Sequence, residues 1–513
     1  VCFLINHPYK KNTLYFRAGL YHQPVAYMKL RIRPYQLLIA GAVLVSLAFH
    51  RQWFYSEIKG GHSWRQMQTM LNIRNFYRHD ANIFNPRLNH FNSGVDNIFR
   101  AEFPLMQWGV AMIMKVAGEH LLVVRLCFWL VCLWGVWGFF KLLKLLEFDD
   151  WLASVGAVLL LFAPVVHNYL LAPIPDLMAF SAAIWYLVYI LRFERQRDKL
   201  SLLLAALFLL IATLVKLQYL MFSVVSIGVF LRAWRKENSI TLPNFLTAFT
   251  QLVIVTPALA WYAWVMPTWQ GNPVLSGIFG TDMTWQHLLG ILWVYVYKNF
   301  PLILLSPVLV PPFIIGFSNI RKLPGGRWWI DALIVITLLY LLLQLNAIRS
   351  YHDYYLLPFL PWMYVVTASG VRRLLERAGE RRHWMTGLIL LLALAGAVIM
   401  VTPQWKVEKS SHNPNLLYYQ QALKQAVPGN ERCIMLNDKS NVQWPYMLDK
   451  QGYIFWGDGL PALWIEDMIN NKGARYMYSD SRLVDEREDV QPFLDTLLLE
   501  AGNIRVYKLT APK

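Results

Sequence analysis

Four short stretches of an otherwise apolar chain collect the residues that could do chemistry. The first is "KGGHSWRQMQTMLNIRNFYRHD" and the segment after it, with His62, Arg65, Arg74, Asp80, Asp96, Arg100 and Glu102. The second is "LLAPIPDLMAF", where Asp176 follows two prolines. In "ATLVKLQYL", Lys216 stands alone between two apolar runs. The fourth, "NAIRSYHDYYLLPFLP", holds Arg349, His352, Asp353, Tyr354 and Tyr355. Ionisable residues at membrane depth are costly and usually functional. Together these types suit transfer of a group from a lipid phosphate. Lys and Arg stabilise the charge on a departing phosphate, and a carboxylate or histidine within reach takes the proton of an attacking hydroxyl. Each residue also has an ordinary role open to it. Asp176 can cap the helix it begins, Lys216 can snorkel to the interface, Arg349 can meet lipid head groups, and His62 can be a plain loop histidine.

The elements that must position these residues are membrane spans. The chain has 513 residues, of which 56% are hydrophobic and 15% charged, whereas soluble domains carry about 25% charged residues. A span needs roughly 17 to 25 mostly apolar residues. Eleven such runs are read: 35–52, 120–142, 151–169, 176–193, 199–215, 217–234, 244–266, 301–319, 328–347, 353–371 and 384–402. Alternation then puts the N-terminus inside and the C-terminus outside. Basic residues agree. The inside segments hold 23 Lys and Arg, and the short outside loops hold three, Lys216, Lys298 and Arg349. This bias is the orientation signal of membrane proteins, and it accounts for most of the net charge of +17 without nucleic acid.

"PLMQWGVAMIMKVAG", 104–118, is too short for a span and contains Lys115. It is expected to lie at the outer interface as an amphipathic helix. The organisation expected is an inside segment 1–34, a membrane region 35–402 with one large outer loop 53–119, and a small outside α/β domain 403–513. In that domain "RCIMLND", "GYIFW", "ARYMYSD" and "IRVYKL" read as strands, and "PALWIEDMINNKG" and "DVQPFLDTLLLEAG" as helices ending at glycine. It has no Gly-rich phosphate loop and reads as an acceptor-docking or stabilising unit. The four cysteines, Cys2, Cys127, Cys132 and Cys433, fit neither a disulfide framework nor a metal motif. "MKLRIRPYQLLIAGAVLVSLAF", from Met28, has a basic flank before its apolar run and looks like a natural start. A chain beginning at Met28 is expected to keep full activity in a turnover assay.

These features resemble the GT-C class of polytopic glycosyltransferases, in the bacterial branch related to protein O-mannosyltransferases and lipid A aminoarabinose transferases. "GHSWRQMQTMLNIRNFY" is similar to that family's first interfacial helix, with His62 where an acid usually stands and Arg65 at the arginine. "AEFPLMQWGVAMIMKVAG" resembles its acid-before-proline segment through Glu102 and Pro104. "PIPDLMAF" matches its span-opening aspartate at Asp176, "LVKLQYL" its lysine turn at Lys216, and "HDYYLLPFLP" its late tyrosine- and proline-containing segment. Some relatives with the "HSWRQ" start carry an aspartate where this chain has Gln68. A gain in initial velocity for Gln68→Asp would assign the missing aspartate to an ancestral mechanism.

The resemblance implies a membrane all-α bundle and inverting transfer of one sugar from a polyprenyl-phosphate donor to a hydroxyl of lipopolysaccharide, another glycan or a protein, at the outer face of a bacterial inner membrane. It implies His62 or Asp176 as base, with Asp96 and Glu102 also open to that role. Lys216, Arg65 and Arg349 would hold the donor phosphate. Glu102, His352, Asp353, Tyr354 and Asp96 would position the sugar or acceptor. The His and carboxylate content allows a divalent metal, though no ligand spacing calls for one. Three rivals remain: a ligase or polymerase of lipid-linked oligosaccharides, a lipid or glycan transporter, and a non-catalytic scaffold. The absence of a visible repeat and the one-sided placement of the ionisable residues count against a transporter.

Overall fold

In lipid every backbone amide and carbonyl must be satisfied within the segment, which makes helices of the apolar runs. The computed structural model describes residues 33–91, 94, 96–237, 242–269, 277–280, 283–320, 327–349 and 352–511. The readings made for the N-terminal segment up to residue 32, and for the Met28 start, lie outside them. Helix α1 (Pro34–His50) opens after Arg33, which is extended at φ −86° and ψ 147°, as a residue before proline must be. Then come α2 (Ser63–Arg78), α3 (Leu105–Ala117), α4 (Leu121–Leu145), α5 (Asp150–Leu161), α6 (Pro164–Tyr169), α7 (Asp176–Gln196) and α8 (Lys199–Val215). The bundle continues with α9 (Ser223–Glu237), α10 (Leu242–Val265), α11 (Trp285–Val294), α12 (Val310–Ser318), α13 (Trp328–Leu343), α14 (Leu360–Ala378) and α15 (Arg382–Val401).

Among the described residues seven helical stretches are long and apolar enough to cross a membrane, against eleven spans expected. The chain is a multi-pass membrane protein. Two of the differences have a clear local cause. The run 151–169 is two helices, because Ala163 precedes Pro164 and is held extended at ψ 128°. The run 301–319 is broken at Ser306, with φ +70°, just before Pro307. The apolar helix there starts earlier, at Trp285, and passes into a π-helical segment, Tyr295–Leu304.

Helices α12 and α14 touch backbone to backbone. A Cβ on Gly316 would collide with the Val366 carbonyl oxygen, and one on Gly370 with that of Pro312. Small residues permit such approach between membrane helices. Gly370→Ala is expected to destabilise by about 1–3 kcal/mol, seen as a lower Tm in detergent. Gly387→Ala, where nothing lies within 4 Å of the added carbon, should leave Tm unchanged.

Beyond α15 the chain forms a five-stranded sheet of order β2-β1-β3-β5-β4. Strands β1 (Arg432–Leu436), β2 (Gln451–Phe455) and β3 (Ala474–Ser479) are parallel and are linked by α16 (Gln443–Leu448) and α17 (Ala462–Asn470). Strands β4 (Leu494–Ala501) and β5 (Ile504–Leu509) form an antiparallel hairpin, of which β5 also pairs antiparallel with β3. Here one expectation is corrected. "DVQPFLDTLLLEAG" is mainly strand, not helix. Only Gly502 and Asn503 separate β4 from β5, and Gly502 takes φ +61°, so a two-residue Gly-Asn hairpin closes there. The loop 53–119 and this domain share one core, in which Met67, Met70 and Val110 meet Met435, Trp444 and Val506. The loop also pairs with the edge of β2. Phe91 donates its amide to the Gly452 carbonyl at 2.9 Å, and Gly452 donates to that of Asn89 at 3.0 Å.

Candidate active site

The turn "KGGH" before α2 is clamped from the far end of the chain. The Gly61 amide donates to the Gln404 carbonyl at 2.8 Å and that of Gly60 to Ser410 Oγ at 2.7 Å. A side chain on Gly60, at φ +87°, would run into the Gln404 backbone. This clamp leaves His62 at φ +55°, a left-handed conformation that costs a non-glycine residue about 1–2 kcal/mol. Strain of this kind persists where the surroundings over-determine it. Its result is that the His62 ring faces the start of the α14 segment, with Nε2 3.7 Å from Asp353 Oδ1. The same carboxylate accepts a hydrogen bond from the Tyr169 hydroxyl. Tyr354 meets the His62 ring edge-on at 5.2 Å, and His352 lies 5.6 Å from it. His352 donates through Nδ1 to the Ala347 carbonyl, 2.9 Å away. Burial pushes its pKa down to about 4, so the ring is neutral at physiological pH.

A second group lies across a tyrosine pair. Tyr354 and Tyr355 stack at 4.8 Å, and Lys216 holds its ammonium 5.3 Å from the Tyr355 ring. Lys216 is extended between α8 and the next helical turn, which turns its side chain inward. Its Nζ is 3.4 Å from Asp176 Oδ1, and both side chains are buried. Asp176 stands at the first position of α7 and forms no side-chain cap. Neither the capping role for Asp176 nor snorkelling for Lys216 is what the fold builds. Beside this pair, Arg65 donates to Glu102 and to Gln68. Burial alone would lower the pKa of Arg65 and raise that of Glu102. Their mutual charge, with Lys216 acting on Glu102 as well, overrides burial and holds the Glu102 carboxyl at about 2. A depressed carboxyl pKa adds stability above the ordinary carboxylate range and loses it only as pH falls towards 2. The pair is therefore intact at any physiological pH.

The fold thus gathers His62, Arg65, Glu102, Asp176, Lys216, His352, Asp353 and Tyr354 at one end of the bundle. Arg349 stands at the margin. It is exposed, its Nε donates to the Asn346 carbonyl at 3.1 Å, and its charge reaches His352. Asp96 is not brought in. Its Oδ1 accepts from the Ile98 amide at 3.0 Å and lies 3.5 Å from Arg87, so it closes a local turn, as a short side chain two residues before an amide does. Arg74, over the Tyr446 ring at 4.3 Å, and Arg100, bonded to the Phe84 carbonyl at 2.9 Å, also serve the loop's own structure. Two residues were passed over in the sequence. Tyr169, the partner of Asp353, carried only the weak signal of an aromatic at a span's end. Arg125 carried a stronger one, a cation inside an apolar run. It is buried, its Nη1 has no hydrogen-bond partner among the described residues, and it lines a cavity of about 40 Å³ with Lys59, Gly61, Gln66 and Tyr169. Among the described residues no three His, Cys, Asp or Glu side chains converge to hold a metal ion.

Residues 101–261 match the family model described as dolichyl-phosphate-mannose-protein mannosyltransferase, a segment that carries Glu102, Asp176 and Lys216. Fold and match together show a multi-pass membrane protein of GT-C architecture with a segment similar to that glycosyltransferase family. Within that architecture the chain is similar to ArnT from Cupriavidus metallidurans. The apo structure aligns with TM-score 0.63 at 13% identity, covering 92% of this chain and 98% of that one. The structure bound to undecaprenyl phosphate aligns with TM-score 0.65 at 11% identity, covering 93% and 98%. The Archaeoglobus fulgidus oligosaccharyltransferase AglB, in complex with an inhibitory peptide and a dolichol-phosphate, aligns with TM-score 0.54 at 11% identity over 87% and 69%. No match was found among curated protein sequences.

Proposed function

We propose that this enzyme moves a single sugar, with inversion, from a polyprenyl-phosphate donor to a hydroxyl of a cell-envelope acceptor. The observation that carries this reading is the division of the site by Tyr354 and Tyr355. On one side stands a His62–Asp353 couple suited to accept a proton. On the other stand Lys216 and Arg65, suited to a phosphate. His62 takes the acceptor's proton as its oxygen attacks the anomeric carbon. The bond from that carbon to the phosphate breaks, and its electron pair leaves on the polyprenyl phosphate. Lys216 and Arg65 stabilise the charge gained there. Asp176 serves as the buried counter-ion of Lys216 rather than as the base, because its carboxylate is enclosed while His62 keeps some exposure. Undecaprenyl phosphate on ArnT and a dolichol-phosphate on AglB support the lipid-linked donor. The bias of basic residues supports an inner-membrane orientation with the N-terminus cytoplasmic and the site and sheet domain periplasmic. The test is donor turnover. Purified protein is incubated with a panel of polyprenyl-phosphate sugars and crude envelope acceptor, and released polyprenyl phosphate is measured. Release with one sugar supports the reading and names the donor. No release from any monophosphate donor by well-folded protein transfers the weight to a ligase of pyrophosphate-linked glycans.

A further inference from the structure

A cleft of about 480 Å³ runs along the edge strand β2, away from the ionisable cluster. Its size lies within the roughly 300–1,000 Å³ of small-molecule sites. One wall is aromatic. Trp464 of α17 is 56% exposed and leans on Phe455 with ring centroids 5.9 Å apart. The rest of the lining includes polar groups. Asp467 and Lys472 pair at 2.6 Å, and Asn441 stands on the loop after β1 at φ +60°. His90 closes the cleft from the outer loop, where it bridges to Gly452. Its Nδ1 is enclosed and has no hydrogen-bond partner among the described residues. The cleft is therefore built by both units, and the segment that supplies His90 leads on to Glu102.

We propose that this cleft binds a saccharide, and that it holds the glycan part of the acceptor. A pyranose has an apolar face of C–H groups and a rim of hydroxyls. The face matches a half-exposed indole. The rim matches a carboxylate, an amide and an imidazole, which accept or donate at fixed points. A lipid tail or an apolar peptide would desolvate the Asp467–Lys472 pair and give His90 Nδ1 no partner. The acceptor role rests on the glycosyl-transfer reading, whereas saccharide binding does not.

The test is calorimetry on the full-length protein in a detergent without a sugar head group, since an alkyl glycoside would compete. Intrinsic fluorescence would not resolve one indole among 22 tryptophans. The probes are mono- and disaccharides of glucose, galactose, mannose, N-acetylglucosamine and heptose. One saccharide class is expected to bind, with Trp464→Ala weakening it about tenfold and Trp464→Phe largely restoring it. Trp464→Ala is also expected to raise the acceptor KM and leave kcat and donor KM unchanged. Failure of every saccharide to bind, or binding indifferent to Trp464→Ala, overturns the proposal. Phospholipid vesicle binding that depends on Trp464, without saccharide binding, overturns it too and marks a membrane contact instead. Saccharide binding by a protein that releases no polyprenyl phosphate would defeat the transfer reading and keep the cleft. Turnover without binding here would do the reverse.

Discussion

Replacing His62 by asparagine is expected to lower turnover by about 100- to 10,000-fold, the range of a lost general base, while donor binding survives. Asparagine is the better variant because it tolerates the left-handed backbone that His62 adopts at φ +55°. Alanine at the same place adds backbone strain to the loss of the ring, so its effect mixes two causes. Donor affinity is spared because Lys216 and Arg65 lie beyond the Tyr354–Tyr355 stack and make no contact with the imidazole among the described hydrogen bonds and ion pairs. Asp353→Asn is expected to give a smaller loss. It keeps the shape of the partner and removes the charge 3.7 Å from Nε2, and with it the stabilisation of the imidazolium. Single-turnover rates at saturating donor, beside direct binding of polyprenyl phosphate, separate the two effects. A near-normal rate in His62→Asn with a dead Asp176→Asn would move the base to Asp176.

Lys216→Met has the second large effect, on both stability and activity. It leaves the Asp176 carboxylate buried without its counter-ion, and breaking such a pair costs about 3–5 kcal/mol. Asp176→Asn strands the ammonium in the same way. Either variant alone therefore shows a lower Tm and a lost rate, and neither says why the rate was lost. The double variant Lys216→Met with Asp176→Leu removes both charges from a site of similar volume. Replacing a buried pair by apolar residues is often neutral for folding or better. This protein is expected to recover its Tm and to remain inactive, with polyprenyl phosphate binding weakened. Tm, binding and turnover on all four forms make the measurement. Full turnover by the double variant would reduce the pair to a structural role.

The sequence by itself determined the membrane character, most of the apolar helices and the types of residue that could act. Composition and hydropathy depend on neighbours along the chain, and helices in lipid are local structures. For the same reason Lys216 and Asp176 stood out: each is an ionisable residue against an apolar background. Local signals failed where a partner far along the chain or a proline decided. Ala163 and Ser306 break two runs that hydropathy reads as continuous. Strand β4 was read as a helix because its apolar residues carry no clear alternation, and β5 supplies the pairing that fixes it. Only the tertiary structure decided which ionisable residues meet. Asp353 is claimed by His62 and Tyr169, residues far from it in sequence and distant from each other. Asp176 is bound to Lys216 instead of capping its helix. Asp96, equal to the others on paper, closes its own turn. Burial decides such outcomes, because a charge removed from water takes the partner that packing places beside it, whereas an exposed carboxylate is free to take the nearest amide.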